Sequence, residues 1–303
     1  MKFSSFKYNY SRNLGDNIQS LAAEQFLPQI DKRLDRDSLN GISENEAHLI
    51  IMNGWFSHFP LKCFPPSDSI LPIFIGFHIS YGNDTEKHFL SSQCVNYLKC
   101  HEPIGCRDKR TMRLLAAKGI KVFYSKCLTL TFPKREIKPK NGQVFLVDAA
   151  HFPIPQFLRQ NAVTISHETD DIWGDELKVL MGKKLLEIYK KQARLVITTR
   201  LHCALPCIAM GIPVIFFGNP TEDRISLLND LNIKINTLPN KWIKISYTIL
   251  KRIHLEKIFW KAATRLFYNV NWNPQSICIE REKIKLIKIT QELIINKTKS
   301  YRL

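Results

Sequence analysis

Residues 194–218 read RLVITTRLHCALPCIAMGIPVIFFG, an apolar run broken by Arg200, Leu201 and His202. The pattern is strand, sharp transition, helix. In parallel α/β sheets the carboxyl ends of strands line the ligand crevice. A helix start at that point offers unpaired N–H groups and the positive end of a dipole to an anion. Thr198 or Thr199 can cap such a helix, and Arg200 supplies a planar fork suited to carboxylate or phosphate. His202 can donate a hydrogen bond or a proton near neutral pH. The plainer reading makes the stretch a capped helix with Arg200 in solvent and His202 under a loop.

Three further stretches carry the same kinds of residue. GCRDKRTMRLLAAKGI (105–120) places Arg107 and Asp108 at a strand end with a helix from about Lys109. Arg107 is a second candidate anion fork, and Asp108 is either a site carboxylate or the helix cap. RNLGDNIQSLAAEQFL (12–27) presents another helix start, where Gly15 allows a tight turn and Asp16 or Asn17 caps. One glycine is far weaker than a dinucleotide fingerprint. FIGFHISYG (74–82) puts His78 in an apolar strand, where a histidine is either a satisfied core residue or a catalyst. Cys203 and Cys207 lie one turn apart beside His202, and Cys94, Cys100 and Cys106 form a looser series. Neither has the spacing of a zinc site, so no metal is expected.

The elements that must position these residues alternate between apolar runs and helical patterns, which predicts an α/β protein with largely parallel sheets. Strands are expected over 48–56, 72–80, 103–108 and 122–130, with helices over 16–26 and 109–118. FPKREIKPKNG (132–142), with two prolines, a glycine and five charges, is the linker candidate. Strands at 143–150, 162–168, 194–199 and 213–218 follow, with helices at 175–193, 201–211 and 223–231. The expectation is two Rossmann-like halves facing a cleft, an N-terminal domain over 1–135 and a C-terminal domain over 136–303 ending in basic helices.

At 303 residues, 45% hydrophobic and 23% charged, the chain reads as globular and long enough for two cores. The N-terminus lacks an apolar signal region, and no 18-residue stretch is free of charge and polarity. The eight cysteines sit mostly in apolar segments, as free thiols do in a reducing compartment. A cytoplasmic location is therefore expected. Of the net charge of +17, a surplus of 10 lies in residues 241–303, which hold 14 Lys and Arg against 4 Glu. This is either a solvated basic face or a surface for an anionic partner. LKRIHLEKIFWKAATRLFYNV (250–270) reads as an amphipathic helix with Phe259, Trp260, Leu266 and Phe267 on one side. Those aromatics either pack on the domains or lie on an anionic membrane at its inner face. No nucleic-acid module is apparent, and nothing in the sequence speaks to oligomeric state.

Taken together, NLGDNIQSLAAEQFLP, IMNGWF with FPPSDSILPIFIGFHIS, IGCRDKRTMRLLAAKGI, YSKCLTLTF and VITTRLHCALPCIAMGIPVIFF resemble, in order, the polysaccharide pyruvyl transferase family. They cover most of residues 10–220. The resemblance implies a GT-B-like fold and transfer of a pyruvyl group from phosphoenolpyruvate to sugar hydroxyls, forming a ketal and releasing phosphate, with no cofactor. The acceptor implied is a sugar or lipid-linked oligosaccharide. By position, Arg107 and Arg200 match the family's arginines, and Leu201 and His202 complete its R-L-H motif. His78 matches a pocket histidine, and Asn13, Asp16 and Gln19 match the N-terminal motif. The mechanistic expectation is a general acid at His202 or His78, with Asp16 or Asp108 assisting the hydroxyl. Two rival readings stand beside it. One is a GT-B glycosyltransferase using a nucleotide sugar, with Glu222 or Asp223 toward the ribose. The other is a non-catalytic, basic, membrane-associated protein.

Overall fold

Eight short parallel strands built from the first 124 residues frame one unit of the computed structural model, which describes residues 1–237 and 269–302 apart from Pro153 and Asp171. The strands are β1 (Lys2–Lys7), β2 (Lys32–Asp35), β3 (His48–Ile51), β4 (Gly54–Phe56), β5 (Ile70–Ile73), β6 (Phe77–Ile79), β7 (Ile104–Cys106) and β8 (Val122–Tyr124). They form two four-stranded sheets in the orders β2-β1-β3-β5 and β4-β6-β7-β8. Every pairing is parallel. Phe6, Ile50, Phe56, Phe64, Phe74 and Phe77 lie in one continuous core of this unit.

The expected strands 48–56 and 72–80 are each interrupted, and the interruptions share a cause. Asn53 N donates back to Ile51 O at 2.8 Å, and Gly54 follows with φ +142°. Gly76 stands in the left-handed region at φ +70°, and a Cβ there would collide with Asn53 Oδ1. A glycine inside a strand pattern marks this sort of close backbone approach. The expected strand over 122–130 ends at Tyr124 and gives way to a 3₁₀ turn at Leu128–Thr131.

β1 and β2 have no counterpart among the expected strands. β1 carries buried Ser4 and Ser5 where an apolar run would be sought, each satisfied by a side chain. Ser4 Oγ bonds His48 Nδ1, and Ser5 Oγ donates to Glu24 Oε1, both at 2.8 Å. β2, sequence KRLD, is an edge strand with three charged residues in four.

The second unit is built on a five-stranded, fully parallel sheet. Its strands are β9 (Gln143–Val147), β10 (Ala162–Ile165), β11 (Ala193–Thr198), β12 (Val214–Phe217) and β13 (Ile235–Asn236), in the order β10-β9-β11-β12-β13. Its core includes Val144, Leu146, Leu195, Ile197, Ile215 and Phe217. The eight cysteines are all free, and six of them are buried.

The chain forms two units and returns twice to the first. One unit comprises 1–132, 168–185 and 279–303; the other comprises 133–167 and 186–278. Residues 168–185 join the first unit because Gly182 lies against Ile18 and Leu21, Lys178 Nζ donates to Ser11 O at 2.8 Å, and Asn17 Nδ2 donates to Asp175 Oδ1 at 3.2 Å. The C-terminal helix Glu280–Arg302 joins it through buried Leu286 and Thr290 and through Lys297 Nζ, which donates to His101 Nδ1 at 2.9 Å. The aromatic stretch expected over 250–270 lies, but for its last two residues, outside the described residues.

Candidate functional site

In the first unit the chemistry-bearing residues collect at the carboxyl ends of the parallel strands. Tyr8 follows β1, Arg36 follows β2, Trp55 lies in β4, His78 in β6, and Arg107 follows β7. Such strand ends are where parallel α/β sheets hold ligands.

Arg107 is 1% exposed, and its Nη1 donates to Gln19 Oε1 at 3.0 Å, a contact across 88 residues. Gln19 Nε2 in turn donates to Asp16 Oδ1 at 3.2 Å, and Ser11 Oγ donates to Asp16 Oδ2 at 2.5 Å. Asp16 and Gln19 sit one turn apart on the helix Leu14–Glu24, so they share a face. Asn13 acts locally instead, capping this helix with a side chain that accepts from Gly15 N at 3.1 Å. The N-terminal motif and the Arg107 motif are therefore one hydrogen-bonded chain.

His78 and Asp108 form a second, fully buried pair. His78 Nδ1 lies 2.5 Å from Asp108 Oδ2. Asp108 also caps the helix Lys109–Ala116, accepting from Thr111 N at 2.8 Å and from Thr111 Oγ1 at 3.0 Å. Burial, and then the nearby Arg107 guanidinium, push the His78 pKa down to about 4. Burial alone would raise Asp108, yet its hydrogen bond and charge interaction with His78 hold it at about 2. The pair is thus a neutral imidazole whose Nδ1–H donates to a carboxylate. The other ring nitrogen, Nε2, is buried and has no hydrogen-bond partner. With both oxygens engaged, Asp108 orients His78 and caps a helix at once.

The second unit repeats the design with other residues. Asp148, the residue after β9, stands at φ +51°, a left-handed conformation uncommon outside glycine. Its Oδ2 accepts from Arg200 Nε at 2.6 Å and from His167 N at 3.0 Å, and its Oδ1 accepts from Ser166 Oγ at 2.6 Å. Burial opposes its ionisation, but these donors prevail and its pKa is lowered. Arg200 is the N-cap residue of the helix Leu201–Ala209, its own N–H donating to Thr198 Oγ1 at 2.9 Å. The Arg200 side chain stays about one-third exposed, at 32%, whereas Leu201 and His202 are buried. Cys203 and Cys207 are buried on the same helix as core. Among the described residues no cluster of three His, Cys, Asp or Glu side chains could hold a metal.

Sequence reasoning missed Arg36, Asp37, Tyr8, Trp55 and Asp148. Arg36 and Asp37 hide in the run DKRLDRD, which reads as a solvated charged loop. Asp148 directly follows the strand QVFLV, and an acidic residue just past the carboxyl end of a buried strand was the signal available.

The chain thus has parallel α/β sheets with an arginine following a strand in each unit, one hydrogen-bonded to an amide and the other to a carboxylate. Residues 13–221, more than half the chain, match the polysaccharide pyruvyl transferase family. The chain belongs to that family and is a transferase, of a kind that pyruvylates polysaccharide. No curated protein matches it. Among solved structures, a functionally uncharacterized protein from Klebsiella pneumoniae subsp. pneumoniae NTUH-K2044 aligns over 78% of this chain and 93% of its own, at 14% identity and a TM-score of 0.45.

Proposed function

We propose that this protein transfers a pyruvyl group from phosphoenolpyruvate to two hydroxyls of a sugar in a surface-polysaccharide precursor, releasing phosphate and leaving a cyclic ketal. The observation that carries the reading is Arg107, buried and aimed by Gln19 of the N-terminal motif, in a chain of this family. The donor bears a phosphate and a carboxylate, and Arg107 and Arg200 are the forks assigned to it. A GT-B-like arrangement of the two units and a cytoplasmic location belong to the same proposal. So does peripheral contact with an anionic membrane.

In the reaction, the methylene carbon of the donor takes a proton and C2 becomes oxocarbenium-like. A sugar hydroxyl adds to C2 as its proton leaves, phosphate departs with the C–O bonding pair, and a second hydroxyl adds to C2 and closes the ketal, its proton leaving with the phosphate. His78, neutral and with its Nε2 lone pair unpartnered, is suited to accept a hydrogen bond from the attacking hydroxyl and orient it. The acid role then falls to His202. Asp108 holds His78 in the required tautomer, and Asp16 acts through Gln19. The arginines offset the charge that develops on the departing phosphate.

The test supplies purified protein with phosphoenolpyruvate and a polysaccharide or lipid-linked oligosaccharide extract. Acceptor-dependent phosphate release, with a pyruvate ketal on the sugar by NMR, is the expected result. Release of nucleotide from a nucleotide sugar, with phosphoenolpyruvate untouched, would overturn it. Arg200→Ala should lower turnover by roughly 10²-fold or more, the usual cost of removing one preorganised transition-state donor, with folding unchanged.

A further inference from the structure

Arg36 matches none of the motifs assigned to the reaction, yet it is buried to 1% exposure at the end of an edge strand. Burying a guanidinium costs several kcal/mol unless it is paired, and an apolar side chain would fill the space at no such cost. Its first partner is Asp37, gripped by a two-point fork: Nε to Oδ1 at 3.2 Å and Nη2 to Oδ2 at 2.8 Å. That pair alone would be electrically complete. The guanidinium nevertheless also lies over two aromatic rings, 5.0 Å from the Tyr8 ring centre and 5.2 Å from the Trp55 ring centre. Its remaining terminal nitrogen, Nη1, faces Asp16 Oδ2 at 3.8 Å and has no hydrogen-bond partner.

We infer that Arg36 is a positioning residue for the donor site: it fixes the Asp16 carboxylate, Asp16 sets the Gln19 amide, and Gln19 aims Arg107. The amide is the critical link. Gln19 presents its oxygen to Arg107 only while its NH₂ is taken by Asp16, because the two ends of an amide are opposite in polarity. Released from Asp16, the amide is free to turn its NH₂ toward the guanidinium, replacing a hydrogen bond by donor against donor. Asp16 stays in place because Ser11 grips one oxygen and Arg36 attracts the same oxygen from the strand end. Lysine cannot replace Arg36, since it has no planar two-point fork for Asp37.

The inference rests on the donor-binding role proposed above for Arg107, so the experiment separates the two. Arg36→Lys, Arg36→Met and Asp16→Asn are made in the full chain, and each folded variant is crystallised without ligand and titrated calorimetrically with phosphoenolpyruvate. Asp16→Asn is nearly isosteric and tests the relay should both Arg36 variants fail to fold. The expected result is loss of the Arg107–Gln19 hydrogen bond together with a Kd for phosphoenolpyruvate raised roughly ten- to hundred-fold, the worth of one hydrogen bond to a charged group. Gln19→Leu combined with Arg36→Lys should bind no more weakly than the worse single variant, because both act on the same arginine. A purely structural Arg36 would lower stability but give additive losses, and that overturns the relay. Retention of the Arg107–Gln19 bond in every variant, or an unchanged Kd, overturns it as well. Wild-type protein that does not bind phosphoenolpyruvate, with the bond still lost in the variants, sinks the donor assignment and leaves the relay standing.

Discussion

A buried histidine that stays neutral makes the chain acid-sensitive over a definite window. In the unfolded chain a histidine titrates near 6.5, whereas His78 titrates at about 4 in the folded protein. As pH falls from about 6.5 toward 4, the unfolded state takes up a proton that the folded state refuses, so stability drops; below about 4 both states are protonated and the loss from His78 stops. The slope from one such group is at most about 1.4 kcal/mol per pH unit. His101, also lowered to about 4 by burial and then by Lys297, acts in the same window. Asp108, held at about 2, adds its loss lower down, between about 4 and 2. His78→Gln should therefore show a flatter fall in melting temperature between pH 6.5 and 4 than wild type, with the His101 share remaining. An unchanged slope would mean that His78 is not neutral in the folded state. The two arginines were visible in the sequence because each ended an apolar run. How they are aimed was not: Gln19, visible only as part of the N-terminal motif, lies 88 residues from Arg107, and Asp148, not visible at all, lies 52 from Arg200. Arg36 was hidden because a charged run usually is a solvated face, and only burial distinguishes this one.

At the scale of elements, alternation of apolar runs and helical spacing was enough to expect parallel α/β sheets, since buried parallel strands must be apolar on both faces. The same rule concealed β1, whose inward serines replace apolar contacts by hydrogen bonds, and β2, whose edge position tolerates charge. It also overran the breaks at Asn53 and Gly76. Those breaks matter because β6, carrying His78, begins directly after Gly76. Asn53 couples the break to the site, donating from Nδ2 to Gln19 O at 2.9 Å. Gly76→Ala must adopt a left-handed backbone and displace the Asn53 side chain. A cost of about 1–3 kcal/mol is expected, read by urea unfolding. Phosphoenolpyruvate turnover should fall further than the loss of folded protein explains, because Asn53 moves with Gln19. Full activity at reduced stability would show that the break serves only packing.

For the whole molecule the governing fact is the uneven charge, with a surplus of 10 of the net +17 in residues 241–303. Part of that surplus lies on the helix Glu280–Arg302, whose inner face packs on its unit through Leu286 and Thr290. Its outer face exposes Arg281, Lys285, Lys288 and Lys299, interleaved with Ile284 at 62% and Ile295 at 51% exposure. Under the peripheral attachment proposed above, these basic side chains and the exposed isoleucines between them would be the ones to meet an anionic bilayer. Each lysine or arginine near such a surface contributes about 1 kcal/mol. No helix among the described residues is long and apolar enough to cross a membrane, and the electrostatic attachment proposed above is salt-sensitive. The protein should co-sediment with phosphatidylserine vesicles at low ionic strength, release at about 1 M salt, where the Debye length shrinks to about 3 Å, and ignore phosphatidylcholine vesicles. Lys285→Glu with Lys288→Glu should weaken vesicle binding about tenfold or more, two charges being reversed, and leave phosphoenolpyruvate binding untouched. Wild-type protein that stays in the supernatant with anionic vesicles at low salt would exclude peripheral attachment, and the basic surplus would then be a solvated face.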